Sequence, residues 1–358
     1  MFLGIIAFIS LMIVIILHEL GHFVLAKKFG VRVDEFGVGF PPRLFGKKFG
    51  ETLYSVNLLP FGAFVRIFGE EGETGPGSFS QKPIWQRSLI VLGGVIVFWI
   101  VAAILLSIVM GLGANIAISD EDNSAQNPKV QITALSPTSP ALLAGLKAGD
   151  SIISITSSDN QNYAISKVKE IQQLTENYKG QELIFTVERG KEILNIAIKP
   201  RVSPPQNEGP LGVSLMRTTI KSYPWYIAPL EGIKATWNLT VIIFQGWIQA
   251  LSNVFQRQQQ TEVQLMGPIG IFSTFVQVGQ LGVAYFLQFI ALISIHLALF
   301  NILPIPVVDG GRLFFLFLEA IRKKPINLQL EQKINMVFFS LLIFMMIWVT
   351  IKDVIRLF

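Results

Sequence analysis

Apolar residues in this chain gather into long runs that no soluble domain would carry. Four of them are long enough to cross a bilayer, which takes ~20 residues of helix. They cover Phe2 to Leu25, Leu89 to Leu112, Val283 to Leu303 and Met336 to Ile351. The stretches between them have other rhythms. In residues 30–83, short apolar runs such as Leu53–Leu58 and Phe64–Ile67 are punctuated by Gly and Pro, which predicts β-strands or hairpins lying against the membrane. Gly69–Ser80, with Glu70, Glu71 and Glu73, reads as a solvated loop.

From about Asn115 to Arg201 the chain turns polar. Strands are expected at Val130–Thr133, Ser151–Ile155 and Leu183–Val187, with a helix at Ile165–Glu176, and the tract Ser119–Pro128 serves as linker. This is a small soluble α+β domain. The segment Trp225–Phe255 is apolar but broken by Glu231, Lys234, Asn238, Gln245 and Gln249. It is read as an interfacial amphipathic helix, or a helix pair, in preference to a fifth span, with Trp225, Trp237 and Trp247 at the interface. The expected fold is a multi-pass α-helical membrane protein of four transmembrane helices, with a membrane-associated β-hairpin region and one inserted α+β domain. Its parts are an N-terminal membrane half (1–114), the inserted domain with its linkers (115–216), the interfacial helices with a Gly-Pro-Ile-Gly segment (217–277) and a C-terminal membrane half (278–358).

Composition agrees: 51% of the 358 residues are hydrophobic and 15% charged. There is no cysteine, so disulfides and thiolate metal sites are excluded, and a metal must use His and carboxylate ligands. The net charge of +5 does not point to nucleic acid, because the basic residues flank the apolar runs as anchors. Lys27, Lys28, Arg32, Arg43, Lys47, Lys48, Arg66, Lys82 and Arg87 follow the first run, and Arg312, Arg322, Lys323, Lys324 and Lys333 follow the third. Both connections are therefore expected in the cytoplasm, and both termini and the inserted domain outside. The first run lacks a basic n-region and a small-residue cleavage site, so it is not read as a removable signal peptide.

The first run also holds His18-Glu19-Leu20-Gly21-His22. On a helix the two histidines lie one turn apart on one face, where they can share a zinc ion, and Glu19 sits beside them as a base. Ionisable residues inside an apolar span have a use or they are not tolerated. A catalytic zinc takes three protein ligands, and the best third is Asp309, where the third run breaks at Pro304 and Pro306 before Gly310 and Gly311. An unpaired carboxylate at that depth is costly, and a cation removes the cost.

These two motifs together, His18–His22 and Leu303-Pro304-Ile305-Pro306-Val307-Val308-Asp309-Gly310-Gly311, resemble the site-2 protease family of intramembrane zinc proteases, in its bacterial RseP-type branch. Further stretches agree: Val38–Pro42, Leu59–Val65, Phe79–Arg87 and Gly267–Gly270. The resemblance implies Zn2+ on His18, His22 and Asp309 with Glu19 as general base. It implies that Leu59, Pro60, Phe61, Gly62 and Phe64 belong to a hairpin that pairs with unwound substrate, and that Asn301 helps hold substrate or the oxyanion. Residues 130–201, with Ser139–Asp150, look like a single PDZ domain, which either binds a C-terminal peptide or filters out bulky substrates; the filter is preferred.

The substrates implied are single-span membrane proteins, such as anti-sigma factors or remnant signal peptides. The setting implied is the bacterial inner membrane, with the active site near the cytoplasmic face. The chain departs from the family pattern at His296, at Gly39–Pro42 and at Gly93–Phe98. His296 is expected to donate a hydrogen bond in place of a lost amide, or to touch the metal. Two other functions remain in view, a membrane zinc transporter and an inactive PDZ-bearing scaffold.

Overall fold

A computed structural model describes residues 2–357 except 71, 124, 126, 191, 206–207, 256–266 and 325. The Glu71 expectation and part of 217–277 thus lie outside the described residues. The chain divides into two units. The first comprises 1–107, 229–276 and 287–358, the second 108–228 and 277–286.

In the first unit, α1 (Phe2–Lys28) leads into β1 (Val33–Phe49) and β2 (Thr52–Ile67). A 3-10 turn at Phe79–Gln81 precedes α2 (Ile84–Leu112), which continues into the second unit. The four expected runs coincide with four helices long and apolar enough to cross a membrane, Phe2–Lys28, Ile84–Leu112, Val283–Ile302 and Leu328–Ile355. This is a membrane protein mixing helices and sheet. The second and fourth helices start well before the apolar runs they contain, because a helix continues through polar residues after the hydrophobic signal has stopped.

β1 and β2 are each one long strand, yet they pair twice. Val33–Val38 runs antiparallel to Ala63–Ile67, and Arg43–Phe49 runs antiparallel to Thr52–Asn57. Glu35–Val38 also meets Leu53–Val56, so its residues have partners on both sides. Glu35, buried, accepts from Arg43 at 2.9 Å and from Ser55 at 2.7 Å and ties the layers together. Around the turns, Phe40, Leu44, Phe45, Phe49, Leu58, Leu59 and Phe61 are all exposed.

The second unit holds β3 (Ala114–Ala117), β4 (Lys129–Leu135), the short α3 (Pro140–Leu143), β5 (Ser151–Thr156), β6 (Asn162–Ala164), α4 (Val168–Asn177), β7 (Leu183–Arg189), β8 (Glu192–Ile198) and β9 (Val213–Lys221). Its sheet runs β3-β9-β4-β5-β7-β8, with β6 on β5. Ile132, Leu146, Ile155, Ile171 and Phe185 are among its core residues. Ser139 caps α3, and the fully buried Asp150 closes the loop by accepting two 2.7 Å hydrogen bonds from Arg189.

The remaining elements are α5 (Ala228–Phe255), α6 (Pro268–Leu281), α7 (Val283–Ile302), α8 (Asp309–Arg322) and α9 (Leu328–Leu357). Over Trp225–Phe255 the structure has the one continuous helix α5, whose Ala235, Leu239, Ile243 and Trp247 pack with α2 and α7 residues.

What positions the site is the contact of α1 with α2. A Cβ on Gly21 would strike the Gly93 carbonyl and Val97, and one on Gly93 would strike the Gly21 carbonyl. The two backbones touch, as small residues allow between membrane helices. Gly21→Val should therefore force the pair apart. The expected outcome is a loss of ~1–3 kcal/mol of stability, the usual cost of overpacking, read as a lower thermal unfolding midpoint in detergent.

Candidate active site

His18, Gly21 and His22 lie on the α1 face turned to α2 and are all buried. Both imidazoles rest on Gly94, where a Cβ would overlap His22 Nε2 and His18 Cε1. Each ring has its own support. His22 Nδ1 donates to the Ile90 carbonyl at 3.0 Å, which leaves Nε2 as the lone-pair nitrogen. His18 stacks on Phe98, with centroids 4.4 Å apart and planes at 16°.

Asp309 arrives from far along the chain. After α7 the backbone turns through Pro304–Val308, with Val307 at φ 88°, a strained value for a β-branched residue. Gly310 and Gly311 lie so close to the carbonyls of Ile302, Leu303 and Ile305 that no side chain fits at either. The turn therefore folds back tightly and starts α8 at Asp309, placing a carboxylate at the positive end of a helix.

The result is a compact donor set. Nε2 of His18 and Nε2 of His22 are 3.3 Å apart, and Asp309 Oδ2 lies 3.5 Å from the first and 3.4 Å from the second. Around a tetrahedral zinc with bonds of ~2.05 Å, ligand atoms lie ~3.3 Å from one another. Asp309 Oδ2 is buried and has no hydrogen-bond partner, as a metal ligand would be before its ion arrives. Among the described residues this is the group of His, Asp and Glu side chains that could hold a metal. The residues present fit zinc.

Glu19, one position on from His18, points out of that face toward the Val65 backbone in β2. Its Oε1 is 3.9 Å from His18 Nε2, and it does not belong to the His18, His22 and Asp309 group. A cavity of ≈ 240 Å³ adjoins His22 and Asp309 and is lined also by Glu70, Arg312, Glu331 and Asn335. At ~30 Å³ per molecule it has room for several waters.

The other sequence-predicted residues are placed elsewhere. His296 bonds the Leu292 carbonyl of its own helix at 2.9 Å, and its ring faces Trp247 at 6.0 Å; it is not in the donor group. Asn301 donates to Leu297 in its own helix at 2.9 Å. Leu59, Pro60, Phe61 and Gly62 run beside the first half of α1: Phe61 meets Phe8 edge-on at 6.2 Å, and the Gly62 amide donates to Met12 Sδ. Phe64 stacks on Phe40.

One expectation is corrected. Glu70 is not a solvated loop acid; it is ion-paired to Arg312, one turn after Asp309. Ile90 has no signal in the sequence beyond a spacing that puts it on one face of the second run with Gly94, which the sequence marks only as part of a departure from the family pattern.

The fold is that of a membrane protein, and the donor set is one that could hold a metal ion. Residues 6–345 match Peptidase family M50. The chain is 31% identical to the Clostridium perfringens (strain 13) protein named "Putative zinc metalloprotease CPE1693", over 98% of this chain and 97% of that protein. It is 29% identical to the "Regulator of sigma-W protease RasP" of Bacillus subtilis (strain 168), over 95% of each. With the "Zinc metalloprotease RasP" of Geobacillus kaustophilus (strain HTA426) the identity is 26%, over 95% of each. The chain belongs to peptidase family M50, the site-2 protease family, and is a zinc metalloprotease.

Gly94→Ala should press a methyl group into both imidazoles and weaken zinc binding by about 10–100-fold, the range seen when the surroundings of metal ligands are disturbed. Equilibrium dialysis of the purified protein against buffered zinc would measure it.

Proposed function

We propose that this protein hydrolyses peptide bonds within or just beneath the bilayer, in the transmembrane segments of single-span membrane proteins. His18, His22 and Asp309 hold the zinc, and Glu19 acts as general base. The observation that carries the reading is the donor triangle of two histidines in an apolar span and Asp309, with a carboxylate and a cavity for several waters at its side. The name of the Bacillus subtilis relative, a regulator of sigma-W protease, supports membrane-anchored anti-sigma factors as one substrate class.

A zinc ion held by His18, His22 and Asp309 would supply Lewis acidity and make water at the site more acidic, toward a pKa of ~7. The protein's own groups do the rest. Ile90 and Gly94 hold the imidazoles so that both Nε2 atoms converge. Glu19 takes a proton from the attacking water and passes it to the leaving amine. The cavity beside Asp309 stores water that the spans would otherwise exclude.

A helical substrate hides its carbonyls in its own hydrogen bonds and must unwind, and in hydrocarbon its freed groups need partners. The strand around Val65, whose backbone faces Glu19, is suited to supply them by strand addition. The exposed Phe40, Phe45, Leu58, Leu59 and Phe61 support the reading of β1 and β2 as a membrane-associated hairpin. The charge distribution supports an inner-membrane protein with the site near the cytoplasmic face and the inserted domain outside.

Residues 115–216 are proposed as a PDZ-like domain that filters out bulky ectodomains. A groove of ≈ 550 Å³ between α4 and Gly209–Leu215 favours a second reading, peptide capture. β3 and the Ile118 amide cover β9 from Arg217 to Lys221, so the Val213–Met216 stretch keeps an edge for an added strand.

Glu19→Gln should leave zinc bound and lower cleavage by ~10²–10⁴-fold. Co-expression with tagged single-span substrates tests this, with metal analysis on the same protein; cleavage at the parental rate would remove Glu19 from its role. Chelation should stop cleavage by the parent, and added zinc should restore it. Deleting 114–221 removes the sheet whole, since β9 sits between β3 and β4. The filter reading expects longer ectodomains then to be cut, whereas peptide capture expects slower cleavage of all substrates.

A further inference from the structure

Two ion pairs on α8 have no part in the mechanism above. Arg312 pairs with the Glu70 carboxylate and donates to the Glu70 carbonyl at 3.1 Å. Glu319 accepts from both terminal nitrogens of Arg87, at 2.6 and 3.0 Å, in a two-pronged geometry. The Arg87 and Glu319 side chains are only 11% and 18% exposed. Each pair joins residues more than 200 positions apart, at separations of 242 and 232.

Asp309, Arg312, Leu316 and Glu319 follow at spacings of three and four and so share one face of α8. Leu316 lies between Arg312 and Glu319 in sequence and is buried in one apolar cluster with Ile67, Phe79, Ile90 and Val91. Apolar burial of that kind holds a helix down but has no direction. It does not set how far the helix slides or how it is turned. A forked ion pair does, because one residue of slip moves a helix by ~1.5 Å and ~100° and breaks both prongs.

Arg87 is also well placed as a reference point. It stands in the first turn of α2, and three residues later the same helix offers the Ile90 carbonyl to His22. One turn further, Gly94 seats both imidazoles. A single rigid helix thus carries the supports of the histidine pair and the anchor of the helix that delivers the carboxylate.

We propose that Arg87 and Glu319, seconded by Glu70 and Arg312, are positioning residues that bring Asp309 into register with the histidine pair. Zinc affinity then depends on charges that belong to neither the donor triangle nor the general base. The inference rests on the zinc site proposed above.

The test is zinc affinity of the purified full-length protein, by competition with a chromophoric chelator, with the unfolding midpoint of the metal-free form recorded alongside. His18→Ala is the reference for a lost ligand. Glu319→Gln should weaken zinc binding about tenfold or more. Arg87→Lys keeps the charge but not the fork, and should lose several-fold while folding normally. The exchanged pair Arg87→Glu with Glu319→Arg should bind more tightly than Glu319→Gln alone. A merely structural role would lower the unfolding midpoint and leave the affinity of the folded protein unchanged. Parental affinity in folded Arg87→Lys and Glu319→Gln overturns the proposal, as does an exchanged pair no better than Glu319→Gln. If the parent binds zinc no better than His18→Ala, the metal site itself falls and this inference with it.

Discussion

The site depends on two helix backbones touching. Gly21 and Gly93 bring α1 and α2 to contact distance, and Gly94 leaves a slot just deep enough for two imidazoles. In hydrocarbon such packing is a main source of helix association, because lipid offers side chains as apolar a setting as protein does. The same contact that stabilises the helix pair therefore aims the histidines. Any larger residue at these positions would cost both at once.

The donor triangle then carries an electrostatic demand. Two imidazole lone pairs and a carboxylate oxygen at 3.3–3.5 Å, inside apolar spans, leave Asp309 Oδ2 with no hydrogen bond. Burying such a group without a partner is unfavourable, and a divalent cation resolves it. Much of the surrounding structure holds this arrangement against its own repulsion: the Ile90 carbonyl, the Phe98 ring, the strained turn at Val307 and the ion pairs along α8.

Glu19 shows how one residue of offset separates two tasks. The histidines face α2, whereas Glu19 is turned about 100° away, toward β2. The proposed base thus borders the strand proposed to receive substrate and is kept out of the ligand set.

Much of this was legible in the residues. The four spans follow from run length, and the histidine pair and Glu19 follow from helical spacing. Asp309 follows from the chemical improbability of a lone carboxylate beside two prolines in an apolar run. The sequence marks Phe98 and His296 as departures from the pattern it resembles, but not what they touch: Phe98 stacks on His18, and His296 bonds a carbonyl of its own helix. Glu70 read as a loop acid because its partner is 242 residues away. Local pattern determines which segments are helices and which side chains share a face, since both are set by short-range backbone geometry. Which faces meet was decided by tertiary packing, because a backbone contact between glycines and an ion pair across hundreds of residues leave no periodic trace in the chain.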